Sequence, residues 1–410
     1  MDQHKLYRTI KLLGSEKHGG EESTLGHVLE NIIANEEIPI RGGRIWKLEL
    51  SSGSYRLVRQ YGDMEPIKRN FRIRVSDYPL FLQLARKGAL IGRETNKYLR
   101  QKGILRYSAA GVGEKLPWKE HLLYQYVLAI NAEYLKDDTL YALNIIGNAL
   151  TATLRSRKIE TAAKQLKADL DKAREIQQSI LPAHELRFHD YDLYGISLPD
   201  RVVGGDFFDY LQTSEDKDRL GVVIGDAASK GLSAAAQALY VSGALRMGVE
   251  YQTKLNTFIG RINKLVNKTF TTEHFISMVY AELSNASSGL VFYVNAGHSN
   301  PILLRSRTDQ AEFLKATGQI LGPFPHERYN AEFTLMNRGD LLLLYTDGIV
   351  EATNEKKEMY GEQRLVHQLR SLKAKMPREI CMQILEDLQV FSRISEYSDD
   401  KTLVVIKRTR

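Results

Sequence analysis

Apolar positions change their spacing twice along the chain, and the three regimes mark three segments. Over residues 1–150 helical and strand-like runs alternate. "LGHVLENIIANE" (25–36) spaces its apolar residues three and four apart, as an amphipathic helix does. "GGRIWKLELSSGSYRLVRQYG" (42–62) places two apolar-rich runs around a Ser-Ser-Gly-Ser turn and predicts a hairpin. "DYPLFLQLARKGALIG" (77–92) returns to helical spacing, and "HLLYQYVLAI" (121–130) reads as a buried strand.

Residues 151–182 form the second regime. "TATLRSRKIETAAKQLKADLDKAREIQQSIL" contains neither glycine nor proline before Pro182. Leu154, Ala162, Leu166, Leu170, Ala173, Ile176 and Ile180 recur mostly three or four apart, among Lys, Arg, Glu, Asp and Gln. Such a stripe buries one seam, either against the helix's own domain or against an identical helix in a parallel coiled coil. Polar residues on both flanks of the stripe favour the coiled coil, and with it a homodimer.

From 183 to 410 strands and helices alternate again. "RLGVVIGDA" (219–227) and "GDLLLLYTDGIVEATN" (339–354) contain buried strands that end in an acid. "GLSAAAQALYVSGALRMGV" (231–249), "KLNTFIGRINKLVNKTF" (254–270) and "PREICMQILEDLQVFSRI" (377–394) are helices. "FISMVYAELSNASSGLVFYVNAGH" (275–298) is a hairpin, and "DDKTLVVIKR" (399–408) is a final strand.

Composition narrows the picture without redirecting it. With 43% apolar and 26% charged residues the chain can bury sizeable cores. No apolar run is long enough for a membrane-spanning helix. "MDQHKLYRTIKLLG" lacks the features of a signal peptide, so a cytoplasmic location is expected. One cysteine, Cys381, excludes an internal disulfide framework and a cysteine-rich zinc site. The formal charge of +7 comes from scattered residues, with no basic stripe interleaved with aromatics, so no nucleic acid is expected as a partner.

The candidate chemistry lies in acids. Asp206 follows two glycines in "VVGGDFFDY", Asp226 and Asp347 end apolar runs, and the pair Asp399–Asp400 opens one. A carboxylate at the edge of a buried strand is costly unless something neutralises it. Several converging would repel and raise one another's pKa values. Two divalent cations resolve the conflict, and an all-oxygen donor set selects hard ions such as Mg²⁺ or Mn²⁺. Gly205, Gly225 and Gly348 flank these acids, where close backbone approach excludes a Cβ. A diguanylate cyclase, whose signature also begins with two glycines, needs a second acid where Phe207 stands and another acid upstream; here the supporting acids lie downstream.

"VVGGDFFDY", "GDAASKGLSAAA", "NAGHSNPILL", "LLLLYTDGIVEATN", "YGEQRL" and "DDKTLVVIKR" resemble, in order, the motifs of bacterial metal-dependent serine phosphatases. These form the SpoIIE and RsbU-like branch of the protein phosphatase 2C superfamily, and the similarity covers about residues 172–410. It implies an α+β chain whose 183–410 segment is an αββα sandwich. It also implies Asp206, Asp226, Asp347 and Asp399 as catalytic acids holding two Mn²⁺ or Mg²⁺ ions, with the backbone carbonyl of Ala227 contributing. Asp209, Asp400, Gly205 and Gly348 would support them. The implied reaction is hydrolysis of phosphoserine or phosphothreonine by water activated between the two ions. The implied partner is a phosphorylated STAS-type anti-sigma-factor antagonist in a partner-switching circuit; a catalytically weak domain that only binds a phosphoprotein is the alternative.

This chain departs from the family where Ala228 and Ser229 replace the usual Ser and Gly, which would perturb the turn beside Asp226. His298 in "NAGHSNP" is expected to order a strand-end loop, and Cys381 sits in an apolar helical pattern unsuited to a nucleophile. Residues 1–150 resemble, by element order alone, an α/β GAF-type sensor domain, with a PAS-like domain as the alternative. Such a domain implies a small ligand or protein partner.

Overall fold

The computed structural model describes residues 20–34, 40–132, 137–212, 218–251, 254–285, 288–393 and 399–409. The chain divides into two compact units, Met1–Gln165 and Leu166–Arg410.

The first unit is built on one antiparallel sheet. Helix α1 (Glu21–Ile33) precedes β1 (Ile40–Glu49), β2 (Ser54–Gly62) and β3 (Arg72–Arg74). Then come α2 (Leu80–Lys87), β4 (Ala89–Arg93), α3 (Lys97–Gln101), β5 (Arg106–Trp118) and β6 (His121–Ala132). The six strands pair in the order β3-β2-β1-β6-β5-β4. The hairpin expected over 42–62 is β1 and β2, joined in register from Glu49↔Ser54. The helix expected over 77–92 is corrected. Only Leu80–Lys87 is α-helical; Gly88, at φ +79°, stops it, and Ala89–Arg93 is an edge strand. Its apolar residues serve the sheet after Gly88 and the helix before it.

Helix α4 runs Asp137–Ile180, so the helix expected from 151 starts fourteen residues earlier. Leu143, Ile146, Leu150 and Leu154 explain the extension, because they pack into the core of the first unit with Leu29, Val112 and Tyr126. Leu154 therefore belongs to that core and not to a coiled-coil seam. Beyond it Ile159, Leu166 and Ile176 stand exposed.

The second unit is a four-layer sandwich. Its elements are β7 (Glu185–Phe188), β8 (Tyr191–Leu198), β9 (Phe207–Gln212), β10 (Arg219–Ala227), α5 (Leu232–Val249), α6 (Leu255–Thr269), β11 (Ile276–Ser284) and β12 (Leu290–Ala296). They continue with β13 (Ile302–Leu304), β14 (Ala311–Phe313), β15 (Glu332–Leu335), β16 (Leu341–Tyr345), α7 (Asp347–Val350), α8 (Gly361–Leu372), α9 (Pro377–Phe391) and β17 (Lys401–Arg408). One sheet is ordered β15-β12-β11-β10-β9 and the other β14-β13-β16-β17-β8-β7.

The continuous apolar runs follow from this layering. In β16, Leu342 and Leu344 face the opposing sheet, against Val222, Ile224 and Val279. Leu341, Leu343 and Tyr345 face α8 and α9, against Leu369, Ile380 and Ile384. A strand covered on both faces has no solvent side, so its sequence does not alternate. Helices α5 and α6 cover the other sheet through Ala238, Val241, Leu245, Ile259 and Val266. The result is the expected αββα order.

Candidate acidic site

Asp206, Asp226, Asp347, Asp399 and Asp400 come from four stretches of the chain. Asp206 immediately precedes β9, and Asp226 is the penultimate residue of β10. Asp347 is not in β16; it opens the one-turn helix α7, with Thr346 as its N-cap. Asp399 and Asp400 precede β17 by two residues and one, so the final strand starts at Lys401. Both sequence expectations that set these acids within strands are thus shifted into the adjoining turns. A turn frees the carboxylate from the sheet and leaves nearby backbone N–H groups unpaired.

Asp206 is almost fully buried, and its Oδ2 accepts hydrogen bonds of 2.7 Å from the hydroxyls of Thr346 and Thr402. Burial and the Asp226 charge nonetheless raise its pKa well above the carboxylate range, against the lowering effect of the two threonines. Burial, then the charges of Asp347, Asp399 and Asp400, push Asp226 up to about 7. Asp347 reaches solvent at its tip, yet partial burial and Asp399 raise it too.

Asp400 has a different task. Its Oδ1 accepts the backbone N–H of Asp200 at 2.8 Å, and its Oδ2 accepts those of Gly205 at 2.6 Å and Asp206 at 3.3 Å. It fastens the double-glycine loop to the start of β17. Gly204 is required there, since a Cβ would stand 2.4 Å from Asp400 Oδ2. At Gly348 a Cβ would stand 2.0 Å from the Asp400 carbonyl oxygen, and at Gly205 it would stand 2.9 Å from the Ala227 carbonyl oxygen.

Asp209 is buried on β9 and bound by Arg246 of α5, at 2.6 Å from Nε and 3.1 Å from Nη2. The same guanidinium donates to the Ile180 carbonyl at the end of α4. Gln177, one turn earlier, brackets Gly204 by donating to its carbonyl at 2.8 Å and accepting its N–H at 3.3 Å. Lys230 Nζ lies 3.2 Å from Asp399 Oδ2. Sequence reasoning missed Lys230, Arg246, Gln177, Thr346 and Thr402. Lys230, Thr346 and Thr402 lay inside the quoted motifs, but nothing in the motifs singled them out.

The donor set fits a hard divalent ion in kind: all oxygen, anionic, and destabilised by its own proximity. Among the described residues, however, no three His, Cys, Asp or Glu side chains are grouped closely enough to hold an ion. The carboxylates have other partners: Asp206 its threonines, Asp399 its lysine, Asp400 backbone N–H groups.

A family model described as "Stage II sporulation protein E (SpoIIE)" matches residues 216–409, which hold Asp226, Asp347 and Asp399. The second unit has a PP2C-like αββα fold, and its sequence is similar to SpoIIE- and RsbU-like proteins. Phosphoserine phosphatase RsbU of Bacillus subtilis is 24% identical over 323 residues, 77% of this chain and 92% of RsbU. Protein IcfG of Synechocystis sp. is 28% identical over 276 residues, 60% of this chain; the chain spans only 42% of IcfG. The solved SiaA-PP2C domain of Pseudomonas aeruginosa superposes with a TM-score of 0.52 at 20% identity, covering 60% of this chain and 98% of that one. That likeness is one of fold.

Within this PP2C-like domain the remaining candidates are placed as follows. Ser229 is not among the described residues of positive φ, and its hydroxyl accepts Gln237 Nε2 at 2.8 Å. The left-handed position in this turn is Gly231, at φ +71°, so Ser229 is accommodated without backbone strain. His298 is buried, with Nδ1 2.7 Å from Ser277 Oγ and its backbone N–H donating to Asn295 Oδ1, and burial pushes the imidazole down to about 4. It is a neutral imidazole tying the β12 end to β11. Cys381 lies in the α9 core, its thiol pushed up by burial, which disfavours the nucleophilic thiolate.

Proposed function

We propose that this chain is a signalling protein phosphatase, whose PP2C-like domain engages a phosphorylated protein and hydrolyses its phosphoserine or phosphothreonine. The observation that carries the reading is the crowding of carboxylates at one end of the sandwich: besides burial, Asp226 raises Asp206, Asp347, Asp399 and Asp400 raise Asp226, and Asp399 raises Asp347. A phosphoryl dianion cannot approach such a cluster unless cations stand between them. Asp226, Asp347 and Asp399 would hold two Mg²⁺ or Mn²⁺ ions, with Asp206 and the Ala227 carbonyl completing the set. Such ions supply charge neutralisation and a water of lowered pKa. The chain's own contribution is placement: Asp400 fixes the loop bearing Asp206, and Lys230 sets a cation beside the acids for a phosphoryl oxygen.

A second reading, a phosphoprotein-binding domain with weak or no turnover, is favoured by one observation. The acids as they stand are not grouped for ligation, and Lys230 occupies Asp399. The side-chain arrangement lies closer to this second reading, and the retained acids to the first. Both include a STAS-type antagonist as substrate or partner and a GAF-type sensor in the first unit, whose sheet order β3-β2-β1-β6-β5-β4 supports that assignment. Among the described residues no helix is long and apolar enough to cross a membrane.

The test is release of phosphate from a phosphoserine protein with Mn²⁺, with Mg²⁺ and with excess chelator. Ion-dependent turnover that Asp347→Asn abolishes supports the phosphatase. Saturable phosphoprotein binding without turnover under every ion supports the binding domain and removes the enzyme.

A further inference from the structure

The turn between β10 and α5 is pinned from three sides. The Ala228 N–H donates to the Phe275 carbonyl at 2.8 Å, the Ser229 N–H donates to the Ala227 carbonyl at 2.7 Å, and the Ser229 hydroxyl accepts Gln237 Nε2 at 2.8 Å. Gly231, at φ +71°, then turns the chain into α5. Lys230 leaves this fixed turn toward the acids, and its Nζ lies 3.2 Å from Asp399 Oδ2. The other oxygen, Oδ1, accepts the Asp400 N–H at 3.0 Å. Both oxygens of Asp399 thus have partners supplied by the chain itself.

This cation serves one side of the cluster. Lys230 pairs with Asp399 and acts against the elevation of Asp347, whereas the charges acting on Asp206 and Asp226 are those of other carboxylates. The acids therefore divide into an inner pair, Asp206 and Asp226, and an outer pair, Asp347 and Asp399, that already has an ammonium beside it. A divalent ion taking Asp399 Oδ2 would meet that ammonium at the same oxygen, and like charges so close repel. Lys230 is half exposed on a flexible four-carbon stem, and an exposed ion pair is weak, so the lysine is able to leave.

We propose that Lys230 is a tethered counter-cation of the outer acids, one that a divalent ion displaces from Asp399, so that the two ion positions differ and the outer one is the weaker. The inference rests on the reading of these acids as ion ligands. It also orders events at the site: the ammonium is free for a phosphoryl oxygen only once it has left Asp399.

The test is Mn²⁺ binding to the full-length protein by isothermal titration calorimetry, at one pH and with no phosphoprotein present. Wild type is compared with Lys230→Gln, Lys230→Arg and Lys401→Gln. Lys401 controls for charge alone, being equally cationic and close by, with its Nζ donating to the Asp399 backbone carbonyl at 3.1 Å. Lys230→Gln is expected to bind the weaker ion about five- to ten-fold more tightly, the scale of one exposed ion pair and a nearby like charge removed together, with the tighter ion little changed. Lys230→Arg should stay near wild type, and Lys401→Gln should gain less than Lys230→Gln. A second ion that only Lys230→Gln binds measurably would support the proposal in its strongest form. Equal affinities in wild type and Lys230→Gln, an equal gain in Lys230→Arg or Lys401→Gln, or a gain confined to the tighter ion would each overturn it and leave the acids as ion ligands. No Mn²⁺ bound by any of the four proteins would overturn it together with the two-ion reading.

Discussion

Burial and the charges of Asp347, Asp399 and Asp400 lift the Asp226 carboxyl from an ordinary 3.8 to about 7, and this has a sign that thermal unfolding can read. Below about pH 4 the carboxyl is protonated folded and unfolded alike. As pH rises toward 7 the unfolded chain gives up its proton first, so the folded state loses stability with rising pH. In excess chelator, wild type should therefore lose more stability between about pH 5 and about pH 8 than Asp226→Asn does, and Mn²⁺ should flatten the wild-type slope. Identical slopes for the two proteins would contradict the assigned pKa. Gly348 makes a second, steric prediction. A Cβ would meet the Asp400 carbonyl oxygen at 2.0 Å, so Gly348→Ala should cost on the order of 2 kcal/mol by denaturant titration and reduce any turnover.

Arg246 binds two elements at once, Asp209 on β9 and the last carbonyl of α4, while Gln177 brackets the loop before Asp206. Removing the guanidinium leaves Asp209 buried without its counter-charge. Arg246→Met should cost on the order of 2 kcal/mol, less than for a fully buried pair because Arg246 is partly exposed, and Asp209→Asn in the same chain should restore much of it. A double variant no more stable than Arg246→Met would remove the pairing argument. Further back on α4, exposed Ile159, Leu166 and Ile176 support the proposal of a homodimer through this helix. Leu166→Glu or Leu170→Glu should lower the sedimenting mass and change phosphatase rate together; a monomeric wild type would end the proposal. Most elements were legible because their periodicity is local: "LLLLY" could only be a strand covered twice, and α5 and α6 lie within a residue or two of their expected bounds. The start of α4 was not, because Leu143 to Leu154 answer to a sheet distant in sequence. Thr346, Thr402 and Arg246 were hidden for the same reason: polar residues acquire partners only when particular strands become neighbours.

Two units with separate cores are expected to unfold in two steps. Calorimetry should show two transitions, with Mn²⁺ raising only that of the second unit. A single transition, or Mn²⁺ raising both equally, would contradict this. The acids were readable in number and type, but their grouping was not, since it depends on where β17 lies. That strand sits between β16 and β8, with Leu343↔Val405 on one side and Tyr194↔Val405 on the other. Synthesis proceeds in the opposite sense to this importance. A ribosome will have released Asp206, Asp226 and Asp347 long before the residue that fastens their loop, and until β17 emerges β16 and β8 have no strand to join them. The nascent domain is therefore mute for most of its production, and a product that ends between residues 347 and 399 carries three of the acids with nothing to align them.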